Sequence, residues 1–191
     1  MEAPAALPTR EAAWQLLCRY TTSEALRKHA LAVEAVMRRL AEAHGDDPHL
    51  FGLVGLLHDF DYEKWPEVGR HTVEGARILR AEGYPPVVVE AVLSHVTENG
   101  IPRDTLLKRA IYAADELTGF VVAVALVKGR RLSAVTPESV LKKLKDKSFA
   151  RGVNRQDVVQ GAEALGVPLA DLVAFVVDAL KPVASQIGLE P

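Results

Sequence analysis

Six side chains able to bind a metal or move a proton sit where apolar residues are expected. His29 falls in the stripe Ala25, His29, Val33, Val36 and Leu40, a spacing that lines one face of a helix. His95 shares a side with Val88, Ala91 and Val92, and His71 is in register with Val68, Gly75 and Ile78. Asp115 belongs to the stripe Leu107, Ile111, Asp115, Thr118 and Val122, while His58 and Asp59 end the apolar run from Phe51 to Leu57. One histidine on an apolar face is ordinarily a core residue with a single hydrogen bond, and one aspartate commonly caps a helix or meets an arginine. Six such groups on five segments are harder to satisfy one by one, whereas a shared divalent ion serves them all. His44 and His49 flank the polar turn Gly45-Asp46-Asp47 and read as surface residues. Neither a Gly-x-Ser-x-Gly nucleophile turn nor a glycine-rich phosphate loop occurs.

The elements that carry these groups are helical, because apolar residues recur at three and four spacings and alternating strand patterns are scarce. Thr9 caps a helix to Tyr20, and Ser23 caps a long one to about His44, stopped by Gly45. Pro48 opens a helix through Leu57, in which Gly52 and Gly55 permit close packing of a neighbour. A loop over 59–66 precedes a helix from about Glu67 to Ala81, and another runs from Pro86 to about Thr97. Asp104 is expected to cap a long helix through Asp115 that continues to Val127. Shorter helices fit Pro137 to Lys147, Asn154 to Leu165 and Pro168 to about Ile187. The fold class is therefore all-α, read as one domain over 1–191 with a C-terminal helical region at about 131–191.

Composition sets the surroundings. The 191 residues are 49% hydrophobic and 25% charged, which excludes a disordered chain. The lone Cys18 forms no internal disulfide and no cysteine metal cluster. A formal charge of -2 gives no global reason to expect nucleic acid as a partner. That total hides nine basic residues against Glu138 and Asp146 between Lys128 and Arg155, a stretch read first as a solvated helix face. The start Met1-Glu2-Ala3-Pro4 has no secretory pattern, and the apolar run Leu117 to Val127 is shorter than the about 20 residues a membrane span needs. A cytoplasmic protein without a membrane partner is expected. The apolar stretch Leu169 to Leu180 suits core packing better than a dimer interface, and the oligomeric state stays open.

In this order and context the residues resemble the HD-domain superfamily of metal-dependent hydrolases. The stretch from Arg27 to Val36 resembles its first-histidine helix, and that from Gly52 to Asp59 is similar to the His-Asp segment. His71-Thr72-Val73-Glu74-Gly75-Ala76 resembles the histidine and Gly-Ala helix of HDIG-type members, and Ala113-Ala114-Asp115-Glu116-Leu117 its last-ligand helix. The resemblance covers about residues 20 to 130. It implies a helical bundle in which His29, His58, Asp59 and Asp115 bind one ion. His71 and His95 match the extra histidines of two-metal members, where Asp59 bridges the ions; with a single ion bound, these two histidines contact a substrate phosphate instead. Nitrogen and carboxylate donors suit Mn, Fe, Co, Ni or Zn, and Mg less well. This chain departs from the HDIG pattern in reading His58-Asp59-Phe60-Asp61-Tyr62-Glu63-Lys64.

The resemblance implies a phosphohydrolase acting on a nucleotide or small phosphorylated metabolite through metal-activated hydroxide. Asp59 then orients the nucleophile, and His71 or His95 stabilises charge or protonates the leaving oxygen. Lys64, Arg70 and Arg77 are the candidate phosphate contacts, each more ordinary as an exposed surface charge. The segment from Lys145 to Arg155 reads as a helix boundary before a phosphate-facing loop. Two other readings share the same ligands: a dinuclear-iron oxygenase of the HD type, and a non-catalytic module that binds metal or nucleotide as a signal.

Overall fold

Capping residues set the ends of most helices in the computed structural model, which describes residues 6–191. The Met1-Glu2-Ala3-Pro4 start, read above as lacking a secretory pattern, lies outside the described residues. Thr9 accepts from the Ala12 amide at 3.2 Å to open α1, Arg10–Tyr20. Ser23 does the same for α2, Glu24–His44, which Gly45 closes at φ 71°. Helix α3, Pro48–Leu57, starts at its proline; from Phe51 to Leu57 every residue is buried. Helices α4, Val73–Ala81, and α5, Pro86–Ser94, lead to α6, Leu106–Val127. The chain ends with α7, Pro137–Leu144, α8, Arg155–Leu165, α9, Leu169–Leu180, and a 3-10 segment Lys181–Ile187. No strand forms among the described residues, so the protein is all-α.

The core is organised by α2 and α6. Helix α2 sends Val33, Val36, Met37 and Leu40 inward and packs on α3, α6, α9 and the C-terminal 3-10 segment. Each apolar side chain of that size contributes about 1.5–3 kcal/mol when fully buried. Helix α3 lies close because it offers glycines: a Cβ at Gly55 would stand 2.9 Å from the Val33 carbonyl, and one at Gly52 2.6 Å from the Arg38 side chain. The buried Glu34 is matched by Arg10 at 2.7 Å and Arg38 at 2.9 Å. Helix α6 meets α2, α5, α8 and α9. By length and composition it could cross a membrane, but 61% of its most apolar window is buried in protein. It is longer than the run Leu117–Val127 because eleven helical residues precede Leu117.

Several expected boundaries move. The helix expected from Glu67 begins at Val73, because Thr72 adopts a left-handed φ of 62° and breaks the path. The supposed face shared by Val68 and His71 therefore does not exist: Val68 is 76% exposed, while His71 is buried. Helix α5 stops at Ser94, and Thr97–Asn99 forms a separate 3-10 turn closed by Gly100 at φ 66°. Thr105, not Asp104, caps α6; Asp104 is spent on Lys108 Nζ at 3.1 Å. The C-terminal helix ends at Leu180, where the 3-10 segment containing Pro182 takes over.

Candidate metal centre

Helices α2 and α6 set His29 against Asp115. His29 Nε2 lies 3.0 Å from Asp115 Oδ1, and both side chains are about one-fifth exposed at the floor of a cleft. The end of α3 brings His58, fully buried, with Nε2 3.3 Å from Asp115 Oδ1 and 3.3 Å from His29 Nε2. Asp59 follows at once, and its two oxygens face different groups. Oδ2 is 3.6 Å from His58 Nε2, whereas Oδ1 is 3.0 Å from His71 Nε2 and 3.3 Å from His95 Nε2. Two donor sets result, His29, His58, Asp59 and Asp115 on one side and Asp59, His71 and His95 on the other.

The imidazoles are oriented from behind. His58 Nδ1 meets the Gly55 carbonyl at 2.8 Å, and His95 Nδ1 meets the Val92 carbonyl at 2.7 Å. His71 Nδ1 meets Asp61 Oδ1 at 3.0 Å. An Nδ1 hydrogen engaged in this way fixes the tautomer whose Nε2 lone pair points into the site. Nitrogen and oxygen donors so aimed fit divalent transition metals.

Asp61 is the residue that sequence reasoning overlooked, having entered only as a departure from the HDIG pattern. It is fully buried and accepts three hydrogen bonds. Besides His71, its Oδ2 takes the Thr72 amide at 2.9 Å and the Gly75 amide at 2.8 Å. The left-handed Thr72 allows this approach, costing about 1–2 kcal/mol as backbone strain. Asn99 steadies it, donating to Thr72 Oγ1 at 2.6 Å and to the Leu93 carbonyl at 2.8 Å. Gly75 completes the cradle: a Cβ there would sit 2.9 Å from Asp61 Cγ. The available signal was a third carboxylate two residues beyond Asp59.

Electrostatics favour positive charge at the centre. Burial acts to lower His58, but the Asp59 and Asp115 carboxylates overcome it and raise the ring to about 9. Burial likewise acts to lower His71, yet its hydrogen bonds to Asp59 and Asp61 outweigh that and push it up to about 10. Burial acts to raise Asp59 and Asp115, yet the neighbouring His58 charge and histidine hydrogen bonds hold both below the ordinary carboxylate range. Without metal, protons on these rings supply the charge that the carboxylates demand.

The centre opens into a cavity of about 380 Å³. Its far wall includes Tyr112, Glu116, Asn154 and Asp157, none of them evident from the sequence pattern. Tyr112 donates to Asp157 Oδ1 at 2.8 Å, and burial followed by the Asp115 charge raises Glu116 to about 7. Among the described residues, no lysine or arginine lines this cavity. Lys64 stacks its Nζ 4.5 Å from the Tyr20 ring, Arg70 lies over Trp65, and Arg77 pairs with Glu74 at 3.0 Å. These three belong to local surface contacts, so the structure does not bring them to the metal-competent groups. Of the segment from Lys145 to Arg155, only Val153 and Asn154 reach the cavity wall. Arg155 instead gathers carbonyls, including those of Leu144 at 3.1 Å and Asp146 at 3.0 Å, as a helix boundary requires. His44 and His49 bond the backbone carbonyls of Leu40 and Pro8 away from the centre.

The HD domain family matches residues 26–119, a span that contains all six metal-competent residues. Ribonuclease Y of Opitutus terrae is 27% identical over 110 residues, which is 54% of this chain and 20% of that relative. The match thus spans a fifth of the relative's length. No solved structure matches.

Proposed function

The chain belongs to the HD-domain superfamily of metal-dependent phosphohydrolases, and from that premise we propose that it hydrolyses a phosphoester of a nucleotide or small phosphorylated metabolite. His29, His58, Asp59 and Asp115 would hold one divalent ion, and Asp59, His71 and His95 a second. Mn, Fe, Co, Ni or Zn suits these donors better than Mg. Bound there, the metal supplies a Lewis acid for phosphoryl oxygens and lowers the pKa of water.

The observation that carries the reading is the division of the Asp59 carboxylate, one oxygen toward His58 and the other toward His71 and His95. Asp59 so placed would be shared by the two donor sets, with His29, His58 and Asp115 on one side and His71 and His95 on the other. Asp61 keeps the proton on His71 Nδ1, so Nε2 remains the donor face. The Gly55 and Val92 carbonyls do the same for His58 and His95. These rings thus reach the reacting region already oriented, and little reorganisation is needed when substrate binds. The setting we assign is the cytoplasm.

One observation favours the iron-oxygenase reading: carboxylates Glu98, Glu116 and Asp157 line the metal cavity, while cations are missing from it among the described residues. That wall suits a neutral or cationic organic group better than a second phosphate. Metal analysis of the purified protein, with a phosphoester panel run in air and without oxygen, decides between them. Because one matching relative is a ribonuclease, the panel includes a short RNA. Hydrolysis of a panel member in both atmospheres, read as free phosphate from monoesters or as shortened RNA, and lost in Asp59→Ala and Asp115→Ala together with bound metal, is the expected result. Oxygen uptake without hydrolysis, or unchanged metal content and activity in both variants, overturns the proposal.

A further inference from the structure

The cations missing from the metal cavity lie next door. A second cavity of about 560 Å³ shares His29 and Gly119 with the first. Its walls are apolar at Ala25, Val122, Leu126 and Ile187, with Leu126 44% exposed, and carry two cations, Lys28 and Arg130, against one carboxylate, Glu24. Lys28 Nζ and Arg130 Nη1 converge: a Cβ built on Gly188 would lie 3.4 Å from one and 3.7 Å from the other. Both therefore present positive charge at the same rim of the cavity, where an anion would be attracted by the two together. Glu24 pairs with Lys28, but its own side chain is 81% exposed.

Two backbone choices point the same way. Helix interiors disfavour glycine, and Gly52, Gly55, Gly75 and Gly161 each have a packing reason, because a Cβ would meet a neighbour within 3.0 Å. Gly119, in the middle of α6, has none: its nearest neighbour would be the His29 ring at 3.6 Å, an ordinary contact. Gly119 lines both cavities, so its missing side chain keeps their shared wall thin. Arg130 adopts a left-handed φ of 64°, where glycine would be the relaxed residue. Its Nη1 donates to the Gly188 carbonyl at 3.1 Å, which aims the guanidinium along the cavity rim.

We propose that this second cavity receives the organic part of the substrate, an apolar group bearing an anion that Lys28 and Arg130 recognise. The inference rests on the reading of the metal centre as a phosphoester site, with the ester lying across Gly119. A substrate of this shape explains why the metal cavity needs no cation of its own: the scissile phosphate meets the metals, and the remote anion meets Lys28 and Arg130.

The test uses 2-naphthyl phosphate, 2-naphthoate and neutral 2-naphthol, titrated calorimetrically into metal-free protein. Both anions are expected to bind about tenfold more tightly than the naphthol, the factor a charge-assisted hydrogen bond supplies. Lys28→Gln and Arg130→Gly should each remove most of that preference; the glycine suits the left-handed backbone, so the fold is kept. A preference between the two anions identifies a remote phosphate or a remote carboxylate. In metal-loaded protein, Gly119→Leu should lower kcat/KM for 2-naphthyl phosphate more than for methyl phosphate. Anion preference unchanged in both charge variants overturns the inference, whatever the hydrolytic activity. Preference lost as expected in a protein that hydrolyses no phosphoester leaves the cavity assignment standing and refutes the hydrolase reading instead.

Discussion

Replacing Asp61 by asparagine isolates the support of one metal ligand from the fold around it. The asparagine carbonyl can still take the Thr72 and Gly75 amides, now received by Asp61 Oδ2 at 2.9 and 2.8 Å. The new amide nitrogen then faces His71 Nδ1, so two donors meet where Asp61 Oδ1 now accepts at 3.0 Å. The ring relieves this by moving its proton to Nε2, the atom aimed at Asp59 and the second ion position. Loss of such an orienting partner costs about 10- to 100-fold in metal affinity, or about 1.4–2.7 kcal/mol. Asp61→Ala is harsher, since two buried amides lose their acceptor at about 1–3 kcal/mol each. Calorimetric titration of Mn or Zn into metal-free protein reads the difference. Asp61→Asn should weaken the second ion by that factor while the ion at His29, His58 and Asp115 binds as before, and Asp61→Ala should also lower Tm clearly. Two ions bound by Asp61→Asn with wild-type affinity would refute the reasoning, as would equal weakening of both.

Three further outcomes follow from the same geometry. Gly75→Ala should destabilise by about 1–3 kcal/mol, because its Cβ would overlap Asp61 at 2.9 Å; an unchanged Tm would show that the cradle yields freely. Gly119→Ala should do the reverse, raising Tm by about 2–4 °C from helix propensity while adding a methyl to the wall both cavities share; a lowered Tm would mean a hidden clash. In metal-free protein, His58 and His71 rise from 6.5 to about 9 and about 10, so their stabilisation is full below 6.5 and disappears as pH climbs through those values. The depressed Asp59 and Asp115 act oppositely, stabilising above about 3.8 and ceasing to do so as pH falls through their lowered values. Thermal melts should therefore show Tm of metal-free protein dropping between about pH 7 and pH 10, with a smaller drop once metal has displaced the ring protons. Parallel pH profiles with and without metal would contradict this.

The all-α fold was legible because helix periodicity and caps are local: Thr9, Ser23 and Gly45 end their helices where the sequence places them. The inward aim of His29 and Asp115 was legible for the same reason, each lying in an apolar stripe whose burial fixes the helix face. His71 was aimed by other means. Its apparent register with Val68 and Gly75 fails at the left-handed Thr72, and Asp61, ten residues earlier, turns the ring instead. Nothing periodic marks such a residue, because its role is defined by three hydrogen bonds across a loop. Basic side chains mislead for a related reason: Lys64, Arg70 and Arg77 are near His71 in sequence, but long flexible stems let them settle on surface partners. Residue types and spacing by themselves determined the helices and the metal-competent set. Only the tertiary structure decided how the Asp59 oxygens divide and which carboxylate orients His71. It also decided that Lys28 and Arg130 meet beside Gly188, where the segment near Glu190 returns to the turn after α6. Those outcomes depend on contacts between segments far apart in the chain, which local periodicity does not encode.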